Sequence, residues 1–141
     1  MNGSMSPAPS PVSSTPSARS TPTAPSHNRA LGASGESLAA AYLEAHGCHI
    51  VARNWRTRGG ELDLIIRDGT THVAVEVKTR SGNACGSPLE AITPRKAARL
   101  RRLLLDWARV HHVRGPLRVD AVGVTLSPSD SPQIDHLRAI S

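Results

Sequence analysis

Gly60-Glu61-Leu62-Asp63-Leu64-Ile65-Ile66 and Val75-Glu76-Val77-Lys78-Thr79-Arg80 are two short apolar runs, each interrupted by carboxylates. Their length and their Val, Ile and Leu content predict strands. Side chains alternate faces along a strand, so Glu76 and Lys78 share one. Asp68-Gly69-Thr70-Thr71 between the runs predicts a hairpin. Two registers are open. Pairing Arg67 with His72 sets Asp63 opposite Glu76. A two-residue turn at Asp68-Gly69 sets Asp63 opposite Ala74 instead, diagonal to Glu76. Either brings two carboxylates and an ammonium onto one patch. Such a patch suits a divalent metal and an activated water.

Lysine usage points to the same place. Of the 17 Lys and Arg residues, only Lys78 and Lys96 are lysine. Arginine is always charged and forks its donors, whereas lysine is a compact point charge whose pKa responds to burial. An ammonium that orients a water or touches a developing oxyanion is not replaced by a guanidinium. Asp63 and Glu76 are therefore the candidate ligands for Mg²⁺ or Mn²⁺. Hard oxygen donors suit such ions, which keep several waters. Lys78 is the candidate for serving the water or the phosphate charge, in metal-assisted phosphodiester hydrolysis. Glu61 shares the face of Asp63 in an ideal strand but ranks below it, because its Gly-Gly neighbours place it at the strand's start. Glu36 is a further candidate acid, approaching from the first helix.

The chain has 141 residues and a net charge of +6. That length predicts one domain. Residues 1–29, rich in Pro, Ser, Thr and Ala, are expected to form a disordered tail, and residues 30–141 the folded domain. Tyr42, Trp55 and Trp107 are the only aromatic residues apart from histidine, so the core must be aliphatic. No segment approaches the ~20 apolar residues of a membrane span. No secretory signal pattern opens the chain, and a cytoplasmic protein is expected. Cys48 and Cys85 lie far apart and are expected to be free thiols. His46, Cys48 and His49 have ligand chemistry but not the spacing of a closed zinc site.

Ser34 to His46 predicts a helix with Ser34 as N-cap and Gly47 as its stop. Cys48 to Asn54 predicts a strand, followed by a basic, flexible loop through Arg56-Thr57-Arg58-Gly59-Gly60. The acidic strands come next, at about Glu61 to Arg67 and His72 to Thr79, and then a loop from Ser81 to Pro88. Thr93-Pro94 opens a second helix reaching Val110, with Ala97, Leu100, Leu104 and Trp107 as its apolar stripe. Further strands are expected at Leu117 to Leu126 and about Gln133 to Ala139. The order α-β-β-β-α-β-β, with a helix between the third and fourth strands, predicts a mixed central β-sheet flanked by helices in an α/β fold. The basic charge favours a polyanionic partner, and Arg80, Arg95, Lys96, Arg99 and Arg102 are the candidate nucleic-acid contacts.

The ordered set of motifs resembles the YraN-like family. It comprises Gly35-Glu36 with Ala39-Ala40 and Tyr42-Leu43, Arg53-Asn54-Trp55-Arg56, the two acidic strands, Pro88-Leu89-Glu90-Ala91 with Lys96, Arg118-Val119-Asp120-Ala121-Val122 and Ile134-Asp135-His136-Leu137. That family is similar to archaeal Holliday-junction resolvases of the PD-(D/E)XK nuclease superfamily. The resemblance implies a PD-(D/E)XK nuclease-like fold, metal ligation by Asp63 and Glu76, a catalytic Lys78, an accessory acid at Glu36, and Lys96 near the phosphate. Leu62 stands where the superfamily has Pro before its first Asp. Ile140 stands in place of a C-terminal aromatic. Together these readings make the chain a candidate Mg²⁺-dependent endonuclease on structured or branched DNA. The alternatives are a non-catalytic nucleic-acid-binding module of the same fold and a protein whose basic helix binds an acidic partner. Symmetric cutting of a four-way junction would need a homodimer.

Overall fold

The structure, a computed structural model, describes residues 24–82 and 86–141, with side chains from residue 32 onward. Helix α1 (Ala24–Ala45) is followed by β1 (His49–Thr57), β2 (Gly60–Asp68) and β3 (Thr71–Ser81). A short 3-10 turn (Pro88–Ala91) then leads to α2 (Pro94–Val110), β4 (Leu117–Leu126) and β5 (Gln133–Leu137). The predicted order of elements is present. Helix α1 starts ten residues before the expected cap at Ser34 and takes in residues 24–29 of the expected tail. The rest of that tail, and Cys85, lie outside the described residues.

The five strands lie in the order β1-β2-β3-β4-β5. Neighbours are antiparallel except β3 and β4, which run parallel. A parallel pair needs a long crossover, and α2 supplies it. Each face of the sheet carries one helix. Ala39, Ala40 and Leu43 of α1 bury Leu64, Ile66, Val73, Val75, Val77, Val122 and Val124. On the other face, Leu100, Leu103, Leu104, Trp107 and Ala108 of α2 bury Leu62, Ile65, Ala74 and Val119. The α2 cap is as read from sequence: the Thr93 side chain accepts from the Lys96 N–H, with proline in the first turn.

Two corrections concern β1, β2 and the connection between them. The expected flexible loop is a tight hairpin, with Thr57 paired to Gly60 and only Arg58 and Gly59 in the turn. Strict alternation also fails. Leu64 faces α1, and so should Leu62, yet Leu62 packs with Trp55 in the α2 cluster. The change of face falls where Asn54, with a left-handed φ of 51°, stands between Arg53 and Trp55, the partners of Leu64 and Leu62. One such residue rotates the strand and re-aims the side chains beyond it. Asn accepts this conformation more readily than other non-glycine residues. The β1–β2 turn lies against α2, where Arg99 donates to the Gly59 carbonyl.

The far end of the sheet is held by a buried carboxylate. Asp120 is fully buried and accepts hydrogen bonds from Arg118 Nε (2.8 Å), His136 Nε2 (2.8 Å) and the Ala139 N–H (2.9 Å). Ala139 has a φ of 57°, so β5 stops at Leu137 rather than at Ala139, and the chain turns back to Asp120. Ile140 and Ser141 then pair with Val119, and Ile140 packs on the α2 cluster.

Burial alone would raise the pKa of Asp120, but the hydrogen bonds from His136, Arg118 and Ala139 outweigh it and hold the value at about 2. An acid depressed in the fold contributes stability that is complete above its unfolded pKa of about 3.9 and is lost as pH falls towards 2. Asp120→Asn is expected to cost on the order of 2–3 kcal/mol at pH 7 and to flatten the acid limb of stability between about pH 4 and 2. Urea unfolding at stepped pH measures both.

Candidate functional site

The site forms where β2 and β3 part. Arg67 pairs with His72 and Asp68 with Thr71, which selects the first of the two open registers. Pairing runs up to Leu64 with Val75 and stops. Continued one step, the register sets Asp63 across from Glu76. There the Asp63 side chain replaces the ladder, its Oδ2 accepting the Val77 N–H at 2.9 Å. Glu61, Asp63, Glu76, Lys96, Arg99, Leu100 and Leu103 line a cleft of about 200 Å³ between the strands and α2.

Lys96 lines this cleft, and both lysines of the chain meet at one oxygen of its Glu76. Lys96 Nζ lies 3.2 Å and Lys78 Nζ 3.5 Å from Glu76 Oε2. The Glu76 side chain is 7% exposed, while those of Lys78 and Lys96 are 34% and 40% exposed. The two cations thus balance a desolvated carboxylate while keeping their own contact with water.

Among the described residues no cation pairs with Asp63. Its carboxyl is pushed up to about 7, first by burial and then by Glu76, with further repulsion from Glu36 and Glu61; the Val77 N–H opposes the rise. Glu36 is raised as well, by burial and by Glu61 and Glu76. It comes near Glu61 and Glu76 because Gly35 has no side chain: a Cβ there would run into Thr79 of β3. α1 can therefore lie close on β3.

The sequence reading missed Asn54 and underrated Glu61. With its amide oriented to satisfy its neighbours, Asn54 Nδ2 donates to Glu36 Oε1 (3.2 Å) and Glu61 Oε2 (3.3 Å), bridging two acids. Glu61 also pairs with Arg56 at 3.5 Å. An Asn inside an otherwise alternating strand was the available signal.

Among the basic candidates, Lys96 sits in the cleft, and Arg95 and Arg102 are exposed on α2. Arg99 Nη2 donates to the Gly59 carbonyl at 2.8 Å and ties the β1–β2 turn to the helix. Arg80 Nη1 donates to the Gly86 carbonyl at 3.2 Å. His46, by contrast, bonds the Tyr42 carbonyl, and Cys48 is a buried free thiol in the α1 cluster. Among the described residues no helix is long and apolar enough to cross a membrane.

Fold and site define a mixed α/β protein with a half-buried acidic cleft, two lysines gathered on one of its carboxylates. The family described as "Uncharacterised protein family UPF0102" matches residues 35–124, a span that holds Glu36, Asn54, Glu61, Asp63, Glu76, Lys78 and Lys96. The chain belongs to this family, the YraN-like group its motifs resemble. Its relatives include a UPF0102 protein of Leifsonia xyli subsp. xyli, 56% identical over 78% of this chain and 94% of that one. A UPF0102 protein of Nocardia farcinica is 52% identical over 79% and 89%. The solved structure of Pyrococcus furiosus SfsA in complex with Ca²⁺ aligns with a TM-score of 0.39 at 16% identity, over 79% of this chain and 63% of that one. A likeness that loose transfers nothing to the site.

An acid raised in the fold makes the folded state take up a proton as pH falls, so ionised Asp63 destabilises the protein. Wild-type stability should decline as pH rises from about 4 to about 7 through this group. Asp63→Asn is expected to be the more stable protein at pH 8 in chelator, by at most about 4 kcal/mol, and to converge on wild type near pH 4. Thermal unfolding across that range, with EDTA, measures the crossover.

Proposed function

We propose that this protein is a metal-dependent endonuclease on DNA of branched or otherwise structured form, built on a PD-(D/E)XK nuclease-like fold. The observation that carries the reading is the cleft holding Asp63, Glu76 and Lys96 where β2 and β3 part, with Lys78 paired to the same Glu76 oxygen as Lys96.

The donor set fits Mg²⁺ or Mn²⁺. The acids offer only hard oxygens, and the proton that Asp63 holds up to about pH 7 is one a dication would displace. Among the described residues no three His, Cys, Asp or Glu side chains already form a ligand group, which a closed zinc centre would need. Mg²⁺ needs only one or two carboxylates plus waters and substrate phosphate. Asp63 and Glu76 would hold the ion. When bound, it supplies Lewis acidity towards a phosphoryl oxygen and lowers the pKa of a coordinated water.

The protein's own groups do the rest. Asp63 is fixed by the Val77 N–H, so its free oxygen points to a constant place. Lys78 extends from the same strand face as Glu76 and can donate to the attacking water or to charge growing on the phosphate. Lys96 approaches Glu76 from α2, on the side where Arg95 and Arg102 meet the solvent. Lys96 would hold a substrate phosphate. Glu36 and Glu61, bridged by Asn54, border the cleft as accessory acids. Two copies of the chain would provide the paired sites that symmetric cutting of a four-way junction needs.

The roles separate by mutation. Asp63→Asn and Glu76→Gln should lose Mg²⁺ binding and cleavage together. Lys78→Ala should keep metal and DNA binding while cleavage falls by about 10²-fold or more, and Lys78→Arg should not restore it. Calorimetry with Mg²⁺ or Mn²⁺, beside single-turnover cleavage of single-stranded, duplex, flap and four-way DNA, measures this. A wild type that binds DNA but neither holds a divalent ion nor cuts any of these substrates would be a binding module instead.

A further inference from the structure

The β1–β2 hairpin carries arginines that the chemistry of the cleft does not use. Arg53, Arg56 and Arg58 are all exposed. Arg53 lies near Glu36, whose charge it favours. Arg56 stands at the cleft rim against Glu61, its side chain 75% exposed. Arg58 occupies the turn itself. This turn is packed on α2 rather than a free loop. Arg99 holds the Gly59 carbonyl. A Cβ at Gly59 would come within 3.3 Å of Leu103, and one at Gly60 within 3.1 Å of Arg99 and 3.2 Å of Leu103. The tip is thus seated on α2, and hairpin and helix form adjoining sides of the cleft.

The helix side is equally one-signed. Arg95, Lys96, Arg99 and Arg102 lie together along α2, with no carboxylate in the helix before Asp106, and Asp106 is paired with Arg109. An acidic floor is therefore framed by two cationic banks. What the banks lack is equally specific. Trp107 is buried, Trp55 packs into the α2 cluster, and Tyr42 lies on the opposite face against His46 and His136. No other Phe, Tyr or Trp exists in the chain. Binding of single strands depends on aromatic platforms that stack bases, while binding of duplex can rest on phosphates alone.

We propose that Arg56 and Arg58 make the β1–β2 hairpin a second phosphate-binding wall, joined to α2 at Gly59, and that the cleft takes double-stranded nucleic acid by its backbone without reading bases. This rests on the endonuclease reading for its ligand but concerns a surface outside the acids and lysines.

Fluorescence anisotropy in EDTA tests it without metal or cleavage, using a 20-bp duplex of two unrelated sequences and a single strand of equal length. Arg56→Gln/Arg58→Gln should weaken binding of both duplexes alike and lower the log–log salt slope by about two, at ~0.9 per lost contact. Arg58→Glu alone, which leaves the Arg56–Glu61 pair in place, should weaken duplex binding too. Arg67→Gln/Arg114→Gln removes the same charge at the opposite end of the sheet and should change the slope little. If the hairpin variants match that control while wild type still binds and cuts DNA, the second wall is wrong and the endonuclease reading stands. Tighter binding of the single strand than of the duplex would overturn the backbone-only reading. A wild type that binds neither would overturn this proposal together with the function it rests on.

Discussion

The hydrogen bond from the Val77 N–H to Asp63 Oδ2 is the constraint on which the rest of the cleft depends. A buried backbone donor must find a partner. Where β2 leaves β3, the Val77 donor would otherwise be orphaned. Asp63 satisfies it with a side chain instead of a carbonyl, so the strands can separate without leaving the donor unpaired. The separation makes room for a cleft. The same bond also commits the Asp63 carboxylate to a place beside Glu76, where its ionisation is opposed by three neighbouring acids.

Separation of the strands has to be matched on the other side of β2. Asn54, between the β1 partners of Leu64 and Leu62, takes a left-handed conformation at that point. The hairpin then lies over α2, with Arg99 on the Gly59 carbonyl and Leu103 against the glycines of the turn. Gly35 performs the matching service for α1, admitting the helix against Thr79 and carrying Glu36 near Glu61 and Glu76. Three residues with no obvious chemistry, Gly35, Gly59 and Gly60, thus decide which charged groups become neighbours.

The charge pattern is a consequence of this packing. Four carboxylates near one another would be prohibitive in a low-dielectric interior without compensation. The structure compensates them unevenly. Glu76, the most buried, takes both lysines; Glu61 takes Arg56; Asp63 takes a backbone N–H and holds its proton up to neutral pH. The opposite end of the sheet shows the contrasting solution. There Asp120 is fully buried yet stays ionised, because Arg118, His136 and a backbone N–H all donate to it. One carboxylate closes the end of the fold, and the other cluster is left with unmet demand for positive charge.

Local patterns in the sequence determined the elements and the pairing of chemistry within them. Period-two and period-3.6 apolar spacing, the Thr93-Pro94 cap and the hairpin signal at Gly69 were enough for the order of helices and strands, for the mixed sheet, and for Glu76 and Lys78 on one face. The scarcity of lysine singled out Lys96, which lies outside the strands altogether. These readings succeed because alternation and capping are properties of a few consecutive residues. Tertiary structure alone decided the rest. It chose between two registers for Asp63 and carried Lys96 onto the same oxygen as Lys78. It also reversed the face of Leu62, which alternation placed with Leu64, and turned an expected flexible loop into a seated turn. Each of these depends on contacts between residues distant in the chain, and on irregularities of β1, the register shift between Ile50 and Ala52 and the left-handed Asn54, that break the periodicity from which sequence is read.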